Sequence, residues 1–261
     1  MRTFEGIILG IIQGLTEFLP VSSSGHLVIF QELLGISAKG ITFEVMLHFA
    51  TLLSVLYVFS HDIIRLAKNA LHSKQERHFV FMLILGIIPT GLMGVLLSDF
   101  FSKLYDSPAI TGFMLLVTGC ILFTLSRVKP GAKNEETMTA LDALFISIAQ
   151  GIAIIPGISR SGSTITAAIW RGLNRETAVR FSFLVSIPVI LGATVLEVKD
   201  LSVAGFAGFS GGMLAGMIAA FVSGVFAIRF FIKLLSAGRF HYFAYYCWFI
   251  GLLVVCSHYL F

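Results

Sequence analysis

Six long apolar runs alternate with short polar segments along the chain, at roughly 41–60, 79–98, 109–127, 178–197, 205–235 and 243–260. Each approaches the about 20 residues that carry a helix through about 30 Å of hydrocarbon, so the pattern predicts six transmembrane helices. The run 205–235 carries Gly205, Gly208, Gly211, Gly212, Gly216 and Gly224, small residues that let neighbouring helices approach closely. Two further apolar stretches are interrupted. Gly6 to Pro20 would form about 22 Å of helix, too little to cross. Ser22-Ser23-Ser24-Gly25 follows, then a second short helix to about Leu34. Ala140 to Pro156 behaves alike, followed by Ser159-Arg160-Ser161-Gly162 and a short helix to about Trp170. Both predict re-entrant helical hairpins, over about 1–36 and 140–172. Irregular backbone at membrane depth survives only where protein or a water-filled cavity satisfies its polar groups.

Sliding the chain by 137 positions lays Gln13-Gly14 on Gln150-Gly151, Ser22 on Ser159, Ser24 on Ser161 and Gly25 on Gly162. Each copy would be one hairpin followed by three spans, with repeat 1 at about 1–127 and repeat 2 at about 138–261. Three crossings per copy invert the second copy relative to the first. Inverted repeats built from broken helices place their site near the midplane, so the two Ser/Gly breaks are expected to face each other. The fold class expected is therefore an all-α polytopic membrane protein, one domain over 1–261, with six transmembrane helices and two re-entrant hairpins in an inverted 3+3 repeat.

Composition agrees. Hydrophobic residues make up 57% of the 261 and charged residues 12%, against about 25% charged in soluble domains; mean hydropathy is +0.93. A soluble enzyme, a disordered chain and a nucleic-acid binder are excluded. Cys120, Cys247 and Cys256 all fall in apolar runs, at spacings that suit no metal site and read as small membrane-core residues. Arg2 and the apolar residues after it resemble a signal peptide, but Gln13 and Glu17 interrupt the stretch, and the segment is expected in the mature protein. Thirteen of the 18 Lys and Arg fall in the 61–78 loop, the 127–139 loop, the 171–180 connection and the 229–242 region. Arg2, Lys39, Lys103 and Lys199 lie on the other side, and Arg160 lies inside the second hairpin. Positive residues favour the cytoplasm, so both termini and the first hairpin are expected to open outward and the second hairpin inward.

The breaks carry the candidate chemistry. Gln13 and Glu17 are four apart and share a helix face. An ionisable group in mid-bilayer costs about 2.5–3.5 kcal/mol on insertion scales, so Glu17 needs a partner: His26, Arg160 or a metal ion. Ser159, Ser161, Gly162, Ser163 and Thr164 surround a helix start whose first N–H groups form a ready anion site, and Arg160 adds a planar fork suited to phosphate. Two such starts facing each other suit a diphosphate, and hence phosphoryl transfer. Ser23 is the candidate nucleophile, with Ser22 and Ser24 equally placed by spacing; His26 is a candidate proton carrier. Helix capping is the alternative role for the serines. His48, four residues after Glu44, reads as a satisfied buried histidine, and Asp142 as a residue favouring the second hairpin's helix start. Asp99 and Asp106 read as solvated.

At these residues the chain resembles the undecaprenyl-diphosphatase family, the bacitracin-resistance proteins. Gln13 and Glu17 match its Glu/Gln-x-x-x-Glu element, Pro20 to His26 its Pro-Val-Ser-Ser-x-Gly-His stretch, and Pro156 to Thr164 its Pro-Gly-x-Ser-Arg-Ser-Gly-x-Thr stretch. The position of Gln13 is often Glu in that family, and that of His48 often Gln. The resemblance implies a multi-pass enzyme of the bacterial plasma (inner) membrane. It would remove the terminal phosphate of undecaprenyl diphosphate on the external side, recycling the lipid carrier of peptidoglycan synthesis and conferring bacitracin resistance. It implies dependence on a divalent cation, Mg²⁺ or Ca²⁺, with Glu17 as a ligand. Catalytic roles carry over to Glu17, Ser23, His26 and Arg160, with Gln13, Ser22, Ser24, Gly25, Ser159, Ser161, Gly162 and Thr164 lining the phosphates. Membrane lipid is the other expected partner, nucleic acid is not, and a homodimer is left open. The alternative activity, motivated by the inverted repeat, is transport of the polyprenyl phosphate carrier, alone or combined with hydrolysis.

Overall fold

The computed structural model describes residues 2–33, 41–105, 107–200, 210–236 and 238–260. Expectations on Leu34, Lys39, Asp106, Gly205 and Gly208 lie outside the described residues. The described residues are helical, apart from connections and one isolated bridge between Lys133 and Leu173.

The first hairpin pairs α1 (Thr3–Phe18) with α2 (Ser23–Leu33). Pro20 stops α1, because the residue before a proline is driven out of the helical region; Leu19 accordingly turns extended, at φ −68°, ψ 146°. Ser22 then takes a left-handed conformation, φ 68°. α3 (Ile41–Val58) and α4 (Ser60–Asn69) follow, bent by 68° at Phe59. α4 was expected as loop; it folds as a surface helix because Asp62 and Arg65 pair with neighbouring elements. α5 (Lys74–Leu85) and α6 (Ile88–Leu96) form one apolar stretch, interrupted at Gly86–Ile87 where Pro89 brings no N–H. α7 (Ser98–Tyr105) and α8 (Pro108–Leu125) complete this half.

The second hairpin pairs α9 (Ala140–Ile152) with α10 (Arg160–Trp170). A Thr139–Asp142 capping box starts α9; Pro156 and the left-handed Gly157 (φ +91°) separate the two; the Ser159 hydroxyl caps α10 by accepting from the Gly162 N–H. α11 (Arg175–Asp200), α12 (Gly211–Ser236) and α13 (His241–Leu260) follow. Residues 74–96, 108–125, 175–195, 211–235 and 241–259 are long and apolar enough to cross a bilayer, and the bent pair α3–α4 is a sixth candidate. Large apolar side chains on these stretches point outward, among them Val222, Phe226, Phe249 and Leu252, as lipid solvation requires. The protein is a multi-pass membrane protein. Cys247 is buried, but Cys120 and Cys256 face outward rather than into the core, since their helices present that side to lipid.

The halves interlock. α3 packs on α11 and α8 on α13, while each hairpin's first helix docks on the other half's second span: α1 along α12, α9 along α6. At the α1–α12 seam a Cβ on Gly10 would sit 2.1 Å from the Gly216 carbonyl oxygen, so only glycine permits this approach. Beside it, Phe18 packs its ring 5.8 Å from Phe183, which in turn stacks on Phe59 at 5.4 Å. These buried rings fix the end of α1, and so the position of Glu17.

The face bearing most basic residues is laced by ion pairs. Arg180 binds Asp62 and Glu135, and Arg65 binds Glu76 and Glu135. Burial pushes the Glu135 carboxyl above its ordinary value, with Arg180 and Arg65 opposing it. Asp142, fully buried, receives Lys133 at 2.9 Å and Arg171 at 2.7 Å, which exceeds the simple helix-start role read from the sequence.

Candidate active site

The two hairpin breaks meet. The Ser161 hydroxyl donates to the Leu19 carbonyl at 3.3 Å, and a Cβ on Gly25 would lie 3.6 Å from Gly157 Cα. The contact delivers Arg160, the first residue of α10, to Glu17 in the last turn of α1, and an Arg160 Nη2 donates to Glu17 Oε1. Of the two side-chain partners open to Glu17 from the sequence, His26 and Arg160, Arg160 is the one engaged. The other carboxylate oxygen, Oε2, accepts from Ser23 Oγ at 2.6 Å and from Gln13 Nε2 at 3.0 Å. Glu17 is 7% exposed and Gln13 fully buried, while Ser23 and Arg160 are half-buried. A buried acid and a partly open hydroxyl and guanidinium thus share one spot.

Thr118 on α8 sets the second break: its Oγ1 donates to the Gly157 carbonyl at 2.8 Å and accepts from the Ser159 N–H at 3.0 Å. Thr118 therefore positions the start of α10 and, through it, Arg160. Spacing alone offered no sign of this, since Thr118 sits in an unbroken apolar span.

The remaining candidates divide. Ser22 and Ser24 lie beside Ser23, hydroxyls 3.3 Å apart. Ser159 is occupied as the cap of α10, and its Oγ lies 3.3 Å from Ser161 Oγ. Thr164 is fully buried and donates back to the Arg160 carbonyl at 2.9 Å. Their side chains shape the break; Gly162 offers backbone only.

His26 does not pair with Glu17. Its Nδ1 is 2.8 Å from the Ser22 carbonyl and its Nε2 2.7 Å from Tyr246 Oη. The helical turn of α2 swings the ring toward α13, and the side chain that meets the Ser23 hydroxyl is Glu17. Tyr246 was not legible in the sequence: it is one aromatic in an aromatic-rich span. His48, read as a satisfied buried histidine, is instead 33% exposed in its side chain, with Nε2 3.8 Å from Glu17 Oε2. Its Nδ1 is tied to the Glu44 carbonyl at 2.9 Å, leaving Nε2 to face α1.

Among the described residues no group of three His, Cys, Asp or Glu could hold a metal ion. Oxygens of Glu17 and Ser23 meet at the break, and Gln13, which donates its Nε2 to Glu17, leaves its Oε1 buried without a hydrogen-bond partner. Such a set suits one hard cation that takes most of its ligands from water and substrate phosphates, as Mg²⁺ does.

The family model described as bacitracin resistance protein BacA matches residues 6–253 of the chain. A protein from Halothermothrix orenii named undecaprenyl-diphosphatase is 48% identical, the match covering 98% of each chain. Proteins of the same name from Alkaliphilus metalliredigens and Carboxydothermus hydrogenoformans are 46% and 43% identical, each over 98% of this chain.

Proposed function

From its place in the bacitracin resistance protein BacA family, to which the chain belongs, we infer that this protein is a hydrolase that converts undecaprenyl diphosphate and water to undecaprenyl phosphate and inorganic phosphate. The observation that carries the reading is the convergence of Arg160, Glu17 and Ser23 from two hairpin breaks. Bacitracin resistance follows from the same activity.

The contacts support the following roles. Arg160 spends one nitrogen on Glu17, and its fork can take two oxygens of the incoming terminal phosphoryl group. Ser23 Oγ, already donating to Glu17, is set to attack that phosphorus. As the O–P bond forms, the serine proton passes to Glu17, the bond to the bridging oxygen breaks, and undecaprenyl phosphate leaves. Glu17 passes that proton to the departing undecaprenyl phosphate; water then attacks the phosphoserine, giving a proton to Glu17, which returns it to the Ser23 oxygen as the phosphoserine bond breaks and phosphate leaves. Charge gathering on the phosphoryl oxygens is stabilised by Arg160 and by the N–H groups at the start of α10. Glu17 and Gln13 Oε1 would hold the divalent cation, Mg²⁺ or Ca²⁺, which supplies further charge neutralisation on the diphosphate.

We place the site on the external side of the bacterial plasma membrane, because the basic loops favour the opposite face. Transport of the polyprenyl phosphate is the second reading; the exchange of hairpins between halves favours it, being an arrangement suited to carriers. Phosphate release from undecaprenyl diphosphate by purified protein in detergent separates the two. Hydrolysis that stops on chelation and returns with Mg²⁺ or Ca²⁺ is expected. Intact substrate under every cation condition would leave only transport.

A further inference from the structure

Ser22, a residue with a side chain, adopts φ 68° immediately before Ser23. Such a conformation is strained for a non-glycine residue and persists only where its surroundings hold it. The Ser22 carbonyl is gripped by His26, through its backbone N–H at 3.3 Å and its Nδ1 at 2.8 Å. A carbonyl oxygen only accepts, so this contact requires the proton of the imidazole on Nδ1. In the other tautomer two lone pairs would face each other. Across the ring, Tyr246 Oη lies 2.7 Å from Nε2, and the two rings are parallel within 9° at 5.5 Å. A phenol O–H donating to Nε2 keeps that nitrogen unprotonated and so holds the proton on Nδ1. His26 is 2% exposed, whereas Tyr246 is exposed on α13.

We propose that Tyr246 is a positioning residue: by fixing the His26 tautomer it clamps the left-handed Ser22 turn that presents Ser23 Oγ to Glu17. The proposal rests on the hydrolase reading and refines it. It makes His26 a brace for the nucleophile's turn rather than the carrier of the serine proton, which goes to Glu17.

Tyr246→Phe keeps the ring stack and removes only the O–H. Phosphate release should show kcat down roughly tenfold, the low end for loss of an outer partner, with KM within about twofold. Ser22→Gly removes the strain that the clamp opposes. In a Ser22→Gly background, whatever its own rate, adding Tyr246→Phe should change kcat less than about twofold, as coupling through one turn demands. An equal loss in both backgrounds, or no loss in either, overturns the proposal.

A second readout needs no turnover. Carbethoxylation of His26 by diethyl pyrocarbonate, followed on its peptide by mass spectrometry, should be several-fold faster in Tyr246→Phe, where Nε2 is uncapped. An unchanged rate overturns the contact itself. A wild type that releases no phosphate would refute the hydrolase reading, and the labelling would still report on the pair.

Discussion

Arg160 and Glu17 stand 143 positions apart in the chain and form an ion pair between the first turn of α10 and the last turn of α1. The pair is mostly shielded, its side chains 16% and 6% exposed. Removing one member of such a pair strands the other charge and costs about 3–5 kcal/mol. Its worth to the protein is in the geometry it imposes: it ties the halves together at the point where phosphate would bind.

Arg160→Lys should therefore keep much of the stability and lose activity. A lysine restores the charge but not the fork, and kcat should fall about 10²–10³-fold, the scale for one lost transition-state donor. Thermal unfolding in detergent and phosphate release, measured on the same sample, check both halves of the expectation. Near-normal turnover would remove the two-oxygen role.

Ser23→Ala deletes the hydroxyl held 2.6 Å from Glu17. If Ser23 attacks phosphorus, phosphate release should drop by more than about a hundredfold, and brief incubation with substrate labelled in its terminal phosphate should leave label on wild-type protein alone. Substantial residual turnover would mean that Glu17 instead directs a water molecule.

Asp142→Ala strips the α9 capping box and deprives Lys133 and Arg171 of their shared carboxylate. A lost cap costs about 1 kcal/mol, and the two freed cations add to it. A lowered melting temperature is expected, while KM of the folded fraction stays near wild type, because Asp142 touches neither break. A large KM change would show that the network reaches the site.

Gly10→Ala would force a methyl group to within 2.1 Å of the Gly216 carbonyl oxygen. No rotamer relieves a Cβ, so α1 and α12 must separate, at about 1–3 kcal/mol for overpacking. Reduced yield of folded protein and a lower melting temperature are expected. Wild-type stability would mean that the seam is looser than the structure has it.

Much of this was legible before any coordinates. Pro20 and Pro156, each followed by a serine–glycine run, announce broken helices, and both breaks occur where expected. The apolar runs locate the spans, although the bend at Phe59 and the helix after it escape the pattern, because hydropathy carries no direction. The need of Glu17 for a partner was readable from its depth. Which partner it takes was not, since proximity across 143 positions is a property of packing. His26 and Tyr246 show the same limit more sharply. Periodicity places His26 near the serines, yet the way its ring faces is decided by α13, more than 200 residues downstream.

Because each hairpin rests on the second span of the opposite half, neither half is a self-sufficient module. A nascent chain that has inserted only its first half holds Glu17 and Ser23 but lacks both the guanidinium and the helix on which α1 lies. Hydrolytic competence therefore arises all at once, when the last helices enter the bilayer. A gene split between the halves would need both products in the same membrane to regain it.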